Sequence, residues 1–162
     1  MFSKKENKEI RVLFYTSFGR YMSNQRSLNG EKIKWLNYPT KIKDIHFKLH
    51  CDKKYASIFI DIQHKDEDIR KLFFDQFKEL KKPFIQYVGV PWSWEKEYKN
   101  EIGFNYSRII RKINDVSIYD QNSWSKIFEF YKSNLLRLEE FWMNFNEVFK
   151  QLESQRFSSN NF

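Results

Sequence analysis

The chain holds a single cysteine, Cys51, with four glycines and three prolines among its 162 residues. One thiol excludes an intramolecular disulfide and any cysteine-rich zinc site. Its place in an apolar alternation marks it as a buried core thiol in a reducing compartment. Four unclustered glycines exclude a phosphate-cradling loop, and no Gly-x-Ser-x-Gly elbow offers a serine nucleophile. No apolar run approaches the ~20 residues of a membrane span. The start, Met1-Phe2-Ser3-Lys4-Lys5-Glu6, lacks the apolar core of a signal peptide. The expectation is a cytoplasmic protein with no membrane partner. No repeat, low-complexity segment or linker divides it.

What the chain has is aromatic area. It carries 17 Phe, 9 Tyr and 5 Trp, enough to build a dense core from few positions. A chain of this length forms one domain and buries about two-thirds of its unfolded surface without a staple. The formal charge of +8 suits a nucleic-acid partner, because Lys and Arg gain affinity by releasing counterions from phosphate. The basic residues are nevertheless dispersed, with only isolated pairs at Lys4-Lys5, Lys53-Lys54 and Lys81-Lys82. Together with abundant Asn, Ile and Phe, that bias is also what an AT-rich genome produces.

Apolar spacing predicts a first helix from Lys5 to Asn24 with Ser3 as cap and Ile10, Leu13, Phe14, Phe18, Tyr21 and Met22 as its stripe. Lys32–Tyr38 reads as a short edge strand ended by Pro39. Asp66, Glu67 and Asp68 open a second helix that Pro83 stops, with Ile69, Leu72, Phe73, Phe77 and Leu80 facing the sheet. Phe84–Pro91 reads as a connection. Trp92–Tyr98 and Phe104–Ile113 read as a hairpin joined through Lys99–Gly103. Its aromatics Trp92 and Trp94 and cations Arg108 and Arg111 interleave as in single-strand platforms, although alternation assigns the tryptophans to the core. A long helix follows from Asn122 to Leu152, with a kink at Asn134 or a protruding partner-binding end as alternatives to core packing along its length. The expected fold is α+β: an antiparallel or mixed sheet of about five strands, two hairpins plus a short edge strand, with three main helices in the order α-β-β-β-α-β-β-α. Residues 1–153 form the domain and 154–162 a polar tail.

The chemistry concentrates in the first hairpin. Ile45–Cys51 and Tyr55–Gln63 alternate apolar and polar residues with the period of a half-buried strand. A tight turn at Lys53-Lys54 sets Leu49 opposite Ile58, Phe47 opposite Ile60 and Ile45 opposite Ile62, because a one-residue slip would set apolar against polar throughout. The other face then carries Asp44, His46, Lys48, Asp61 and Gln63, with His46 facing Asp61. A His opposite an Asp is a simple cross-strand contact. His46, His50 and Asp61 also have the residue types of an imidazole–carboxylate metal site. The expected binding residues are His46, Lys48, Asp61, Gln63, His64 and Arg108, with no catalytic residue, metal or cofactor assigned.

The order helix, three strands, helix, strand resembles the core of the restriction-endonuclease-like nucleases. That resemblance implies an alternative site in which Asp44 and Asp61 hold Mg²⁺ or Mn²⁺ for phosphodiester hydrolysis. Gln63 stands where such enzymes carry a lysine, Lys48 is the substitute on the same face, and an acid such as Glu9 is unassigned. Over nearly the whole chain, Phe18-x-x-Tyr21-Met22, Lys32-Ile33-x-Trp35-x-x-Tyr38-x-Thr40, Ile45-x-Phe47, Ile60-Asp61-x-x-His64, Arg70-x-x-Phe73-Phe74-x-x-Phe77, Arg108 and Phe141-Trp142 resemble a bacterial domain-of-unknown-function family. Its members occur alone and as the carboxy-terminal part of longer proteins with a nuclease-like region before it. The resemblance implies a stand-alone accessory module and supplies no catalytic residues. The leading expectation is a non-catalytic binding module that engages nucleic acid or a protein partner.

Overall fold

A computed structural model describes residues 2–159. Helix α1 (Lys4–Tyr21) starts at Ser3, whose side chain accepts from the Glu6 amide and donates to the Glu6 carboxylate, a reciprocal N-terminal cap. Strands β1 (Ile45–Cys51) and β2 (Tyr55–Ile62) follow, then helices α2 (Glu67–Glu79) and α3 (Lys81–Val88), strands β3 (Ser93–Lys99) and β4 (Asn105–Asn114), and helix α4 (Trp124–Ser159). The four strands form one antiparallel sheet in the order β1-β2-β4-β3.

The first hairpin has the register its alternation dictates. Ile45 pairs with Ile62, Phe47 with Ile60 and Leu49 with Ile58, while His46 stands opposite Asp61. Asp52 Oδ1 accepts from the Lys54 and Tyr55 amides and closes the turn. The apolar side is the inner face. Phe77 of α2 stacks on Trp142 of α4, and Trp142 meets Phe47 of β1 edge-on. Phe84 of α3 packs on Trp94 and Phe141. Helix α1 lies against the first half of α4, where Phe14 and Phe18 meet Phe128 and Tyr131.

Three expectations about the elements are corrected. Lys32–Tyr38 is not a strand: Trp35–Asn37 is a 3-10 turn, so among the described residues the sheet has four strands rather than five. In a strand Trp35 and Tyr38 would point to opposite faces. The three-residue period of a 3-10 turn turns both rings the same way, and they are buried with centroids 5.9 Å apart. Phe84–Pro91 is not wholly a connection, because α3 covers most of it. Helix α2 ends at Glu79, four residues before Pro83, and Pro83 sits in the first turn of α3, where a missing amide costs no helical bond. In α2 the buried aromatics are Phe73, Phe74 and Phe77, while Leu72 is exposed. The observed order is therefore α-β-β-α-α-β-β-α.

Helix α4 is continuous through Asn134, whose amide donates to the Phe130 carbonyl and accepts from Arg111. Arg111 also donates to the Val88 carbonyl at the end of α3, so Asn134 ties the long helix to β4 and α3. Residues 154–159 of the expected polar tail extend α4; 160–162 lie outside the described residues.

Candidate functional site

The outer face of the sheet is assembled in rows by the strand registers. One row runs His46, Asp61, Arg108, Glu95 across β1, β2, β4 and β3, and the next runs Lys48, Phe59, Ile110, Ser93. A third sets His50 beside Ser57 and Lys112. Period-two parity puts His46, Lys48, Asp61, Arg108 and Lys112 on the side away from the helices, whereas Arg111, of the other parity, reaches α3 and α4.

Asp61 is 1% exposed, a depth at which a carboxylate needs partners. Arg108 supplies them: Nε donates to Oδ1 at 2.7 Å and Nη2 to Oδ2 at 3.1 Å, the forked geometry that suits a guanidinium to a carboxylate. Gln63 Nε2 adds a weaker contact to Oδ2 at 3.3 Å. The guanidinium lies between two rings, 4.1 Å from the Phe59 centroid and 3.8 Å from that of Tyr98. Burial works against the Arg108 charge, but the hydrogen bonds and charge of Asp61 outweigh it and hold the group above its ordinary range.

Tyr98 reaches this face through an irregularity in the second hairpin. The β3–β4 register shifts between Glu95 and Tyr98, and Ser107 Oγ donates to the Lys96 carbonyl there. Beyond it, Asn100 Oδ1 accepts from the Ile102 and Phe104 amides and Gly103 takes φ +90°, so the hairpin end turns over the sheet. The result is an open pocket of about 470 Å³. Phe59, Ile110 and Arg108 lie on the sheet side, Tyr55, Tyr98 and Ile102 add apolar area, and His50, Glu95, Glu101 and Lys112 are the polar groups. The Lys112 ammonium lies 4.7 Å from the Tyr55 ring centroid.

Of the expected binding residues, Arg108 lines this pocket and Asp61 holds it in place. Gln63 braces Asp61. His46 and the exposed Lys48 share the face but stand beyond the pocket lining. His46 is half-buried, and burial first, then Lys48, lowers its pKa against the opposing pull of Asp44 and Asp61. His64 is not on this face. It is buried, stacked on Phe73 at 4.5 Å, with its carbonyl accepting from Arg70. Asp44 takes φ +66° before β1 begins, and its backbone carbonyl accepts from the Gln63 amide at 2.7 Å. Asp61 thus directs its carboxylate to Arg108 and Gln63. No group of three or more His, Cys, Asp or Glu side chains among the described residues is arranged to hold a metal ion.

Tyr55, Phe59, Glu95, Tyr98 and Lys112 were not anticipated in the site. Pairing β2 with β4 would have revealed Lys112, because it shares parity with Arg108. Tyr98 depends on the register shift, which no alternation pattern announces.

The chain belongs to the domain-of-unknown-function family DUF4268, whose family model matches residues 10–146. No curated protein and no solved structure matches it.

Proposed function

We propose that this protein is a non-catalytic binding module whose outer sheet face takes a short single-stranded stretch of nucleic acid. The carrying observation is the stack of Tyr98, Arg108 and Phe59 braced on the buried Asp61 carboxylate. It is a rigid aromatic and cationic platform beside an open pocket, and bases stack on such platforms with little regard to sequence. Lys48 and Lys112 are exposed on the same face and suit phosphate, while Glu95 and Glu101 suit the amino groups of base edges. A divergent nuclease would have to release Asp61 from Arg108 before a metal could use it, which leaves a buried guanidinium unpaired.

The test is fluorescence anisotropy with labelled single-stranded DNA and RNA and a duplex control. Single strands bind more tightly than duplex, and Tyr98→Ala weakens binding about 10-fold, the loss of one stacked base. Lys112→Ala weakens binding and reduces the salt slope by about 1. Absence of single-strand binding at about 50 mM salt, or equal affinity of wild type and Tyr98→Ala, would overturn the reading. Magnesium-dependent plasmid cleavage lost in Asp61→Ala would replace it with the nuclease.

A further inference from the structure

A second concavity lies on a different side of the molecule, between the last turns of α1 and the segment from Lys32 to Asn37. It is a groove of about 300 Å³ with apolar walls from Phe18, Met22, Ile33, Trp35 and Leu36. Leu36 is 40% exposed at its edge. Its rim is cationic, because Lys32 and Lys34 both line it and both are exposed. The surrounding stretch reinforces that sign: between residues 20 and 43 stand Arg20, Arg26, Lys32, Lys34, Lys41 and Lys43 against the single acid Glu31.

Gly19 lines the same groove. It lies inside α1, where glycine is the least favourable residue after proline. Its backbone gives no reason for glycine, since no positive φ occurs there, and a Cβ added to it meets nothing within 4 Å. The chain's own packing does not require a missing side chain at this position. What its absence does is keep the groove open.

We infer that this groove docks an acidic amphipathic helix of a partner protein. Apolar side chains of the partner cover Ile33 and Leu36 over the floor that the buried Phe18, Met22 and Trp35 form, and its flanking carboxylates meet Lys32 and Lys34. The spacing suits a helix. Two residues of chain span at most roughly 7 Å, so Lys32 and Lys34 stand no farther apart than that at Cα. Carboxylates at i and i+4 of a helix are about 6 Å apart at Cβ, and helix-in-groove docking presents apolar anchors at that same period. This surface lies apart from the outer sheet face and does not depend on the nucleic-acid reading.

The probe is a labelled synthetic helix with leucines at i, i+3, i+4 and i+7 flanked by glutamates, titrated with the full chain. A twin with lysine for every glutamate and phosphatidylglycerol vesicles serve as controls. The acidic peptide binds and its basic twin does not. Lys32→Glu with Lys34→Glu, and separately Gly19→Leu, each weaken binding by about 10-fold or more, while Gly19→Leu melts no lower than wild type because its Cβ has free space. The inference is overturned if the acidic peptide does not bind, if Gly19→Leu binds it as wild type does, or if the basic twin binds equally. Vesicles that displace the peptide through the same lysines would replace the helix with a lipid surface.

Discussion

On the inner face of β2, Ile58, Ile60 and Ile62 are fully buried; on the outer face Ser57 and Asp61 are 1% exposed and Phe59 7%. The inner residues are covered by helices carrying Phe73, Phe77, Phe141 and Trp142. Asp61 and Phe59 are covered by another strand's side chain, since Arg108 lies over the Phe59 ring and grips the Asp61 carboxylate. Equal burial is thus reached by two kinds of force. Hydrocarbon packing is non-directional and tolerates repacking when volume is kept. A forked ion pair sandwiched between rings is directional, and removing either partner strands a charge. The inner face is therefore the source of stability, and the outer face, already polar and preorganised, is the one suited to recognition.

The largest expected effect separates the faces at Trp142. This indole is 2% exposed, stacks on Phe77, lies tilted against Phe149, meets Phe47 edge-on and donates to the Thr40 carbonyl at 3.0 Å. Trp142→Ala should lower unfolding free energy by about 4 kcal/mol, the usual loss for a buried aromatic. That is a large part of what a domain of this size has. Urea denaturation measures it, and the loss should be the same at low and high salt. A strong salt dependence would break the assignment of this face to packing alone.

Next is Asp61→Ala, expected to cost about 3 kcal/mol because the Arg108 guanidinium is left without its carboxylate between two rings. The double variant Asp61→Leu with Arg108→Leu should be more stable than Asp61→Ala, since it leaves no unpaired charge in a face that already carries Phe59 and Ile110. If Asp61→Ala costs under about 1 kcal/mol, the pair behaves as an exposed surface bridge and the outer face is less preorganised than its geometry states.

How far the sequence disclosed this contrast depends on the distance over which each feature is encoded. The β1–β2 register was legible because every apolar residue from Ile45 to Ile62 would change face under a one-residue slip. Asp61 was legible as a face residue for the same reason. Its partner was not, because Arg108 lies 47 residues away and nothing local declares that β2 pairs with β4 rather than with a strand from residues 32–38. That segment itself misled: its alternation fits a strand, and only the joint burial of Trp35 and Tyr38 selects the 3-10 turn. Pro83 was read as a stop, although the same residue is equally suited to the first turn of the helix it begins. His64 looked polar by type and position, but its ring is committed to Phe73.

The smallest effect is a pH dependence that only the outer face should show. Burial lowers the pKa of His46, with Lys48 adding to the shift and Asp44 and Asp61 opposing it; burial likewise lowers His50, with Asp52 opposing. A histidine whose folded pKa lies below its unfolded value of about 6.5 binds a proton more readily when the chain is unfolded. Its contribution to stability is therefore present above that value and lost as pH falls through the folded pKa. Unfolding midpoints should decline between about pH 7.5 and pH 5. Asp52 is shifted down because backbone hydrogen bonds from Lys54 and Tyr55 outweigh its desolvation, so its loss falls at lower pH and does not overlap. The effect is small because water reaches both half-buried rings and screens them. His46→Gln with His50→Gln should flatten the slope, whereas Trp142→Ala should shift the whole curve down without changing its shape. An unchanged slope in the histidine variant would assign the titration to other groups and remove the pH signature by which the two faces are told apart.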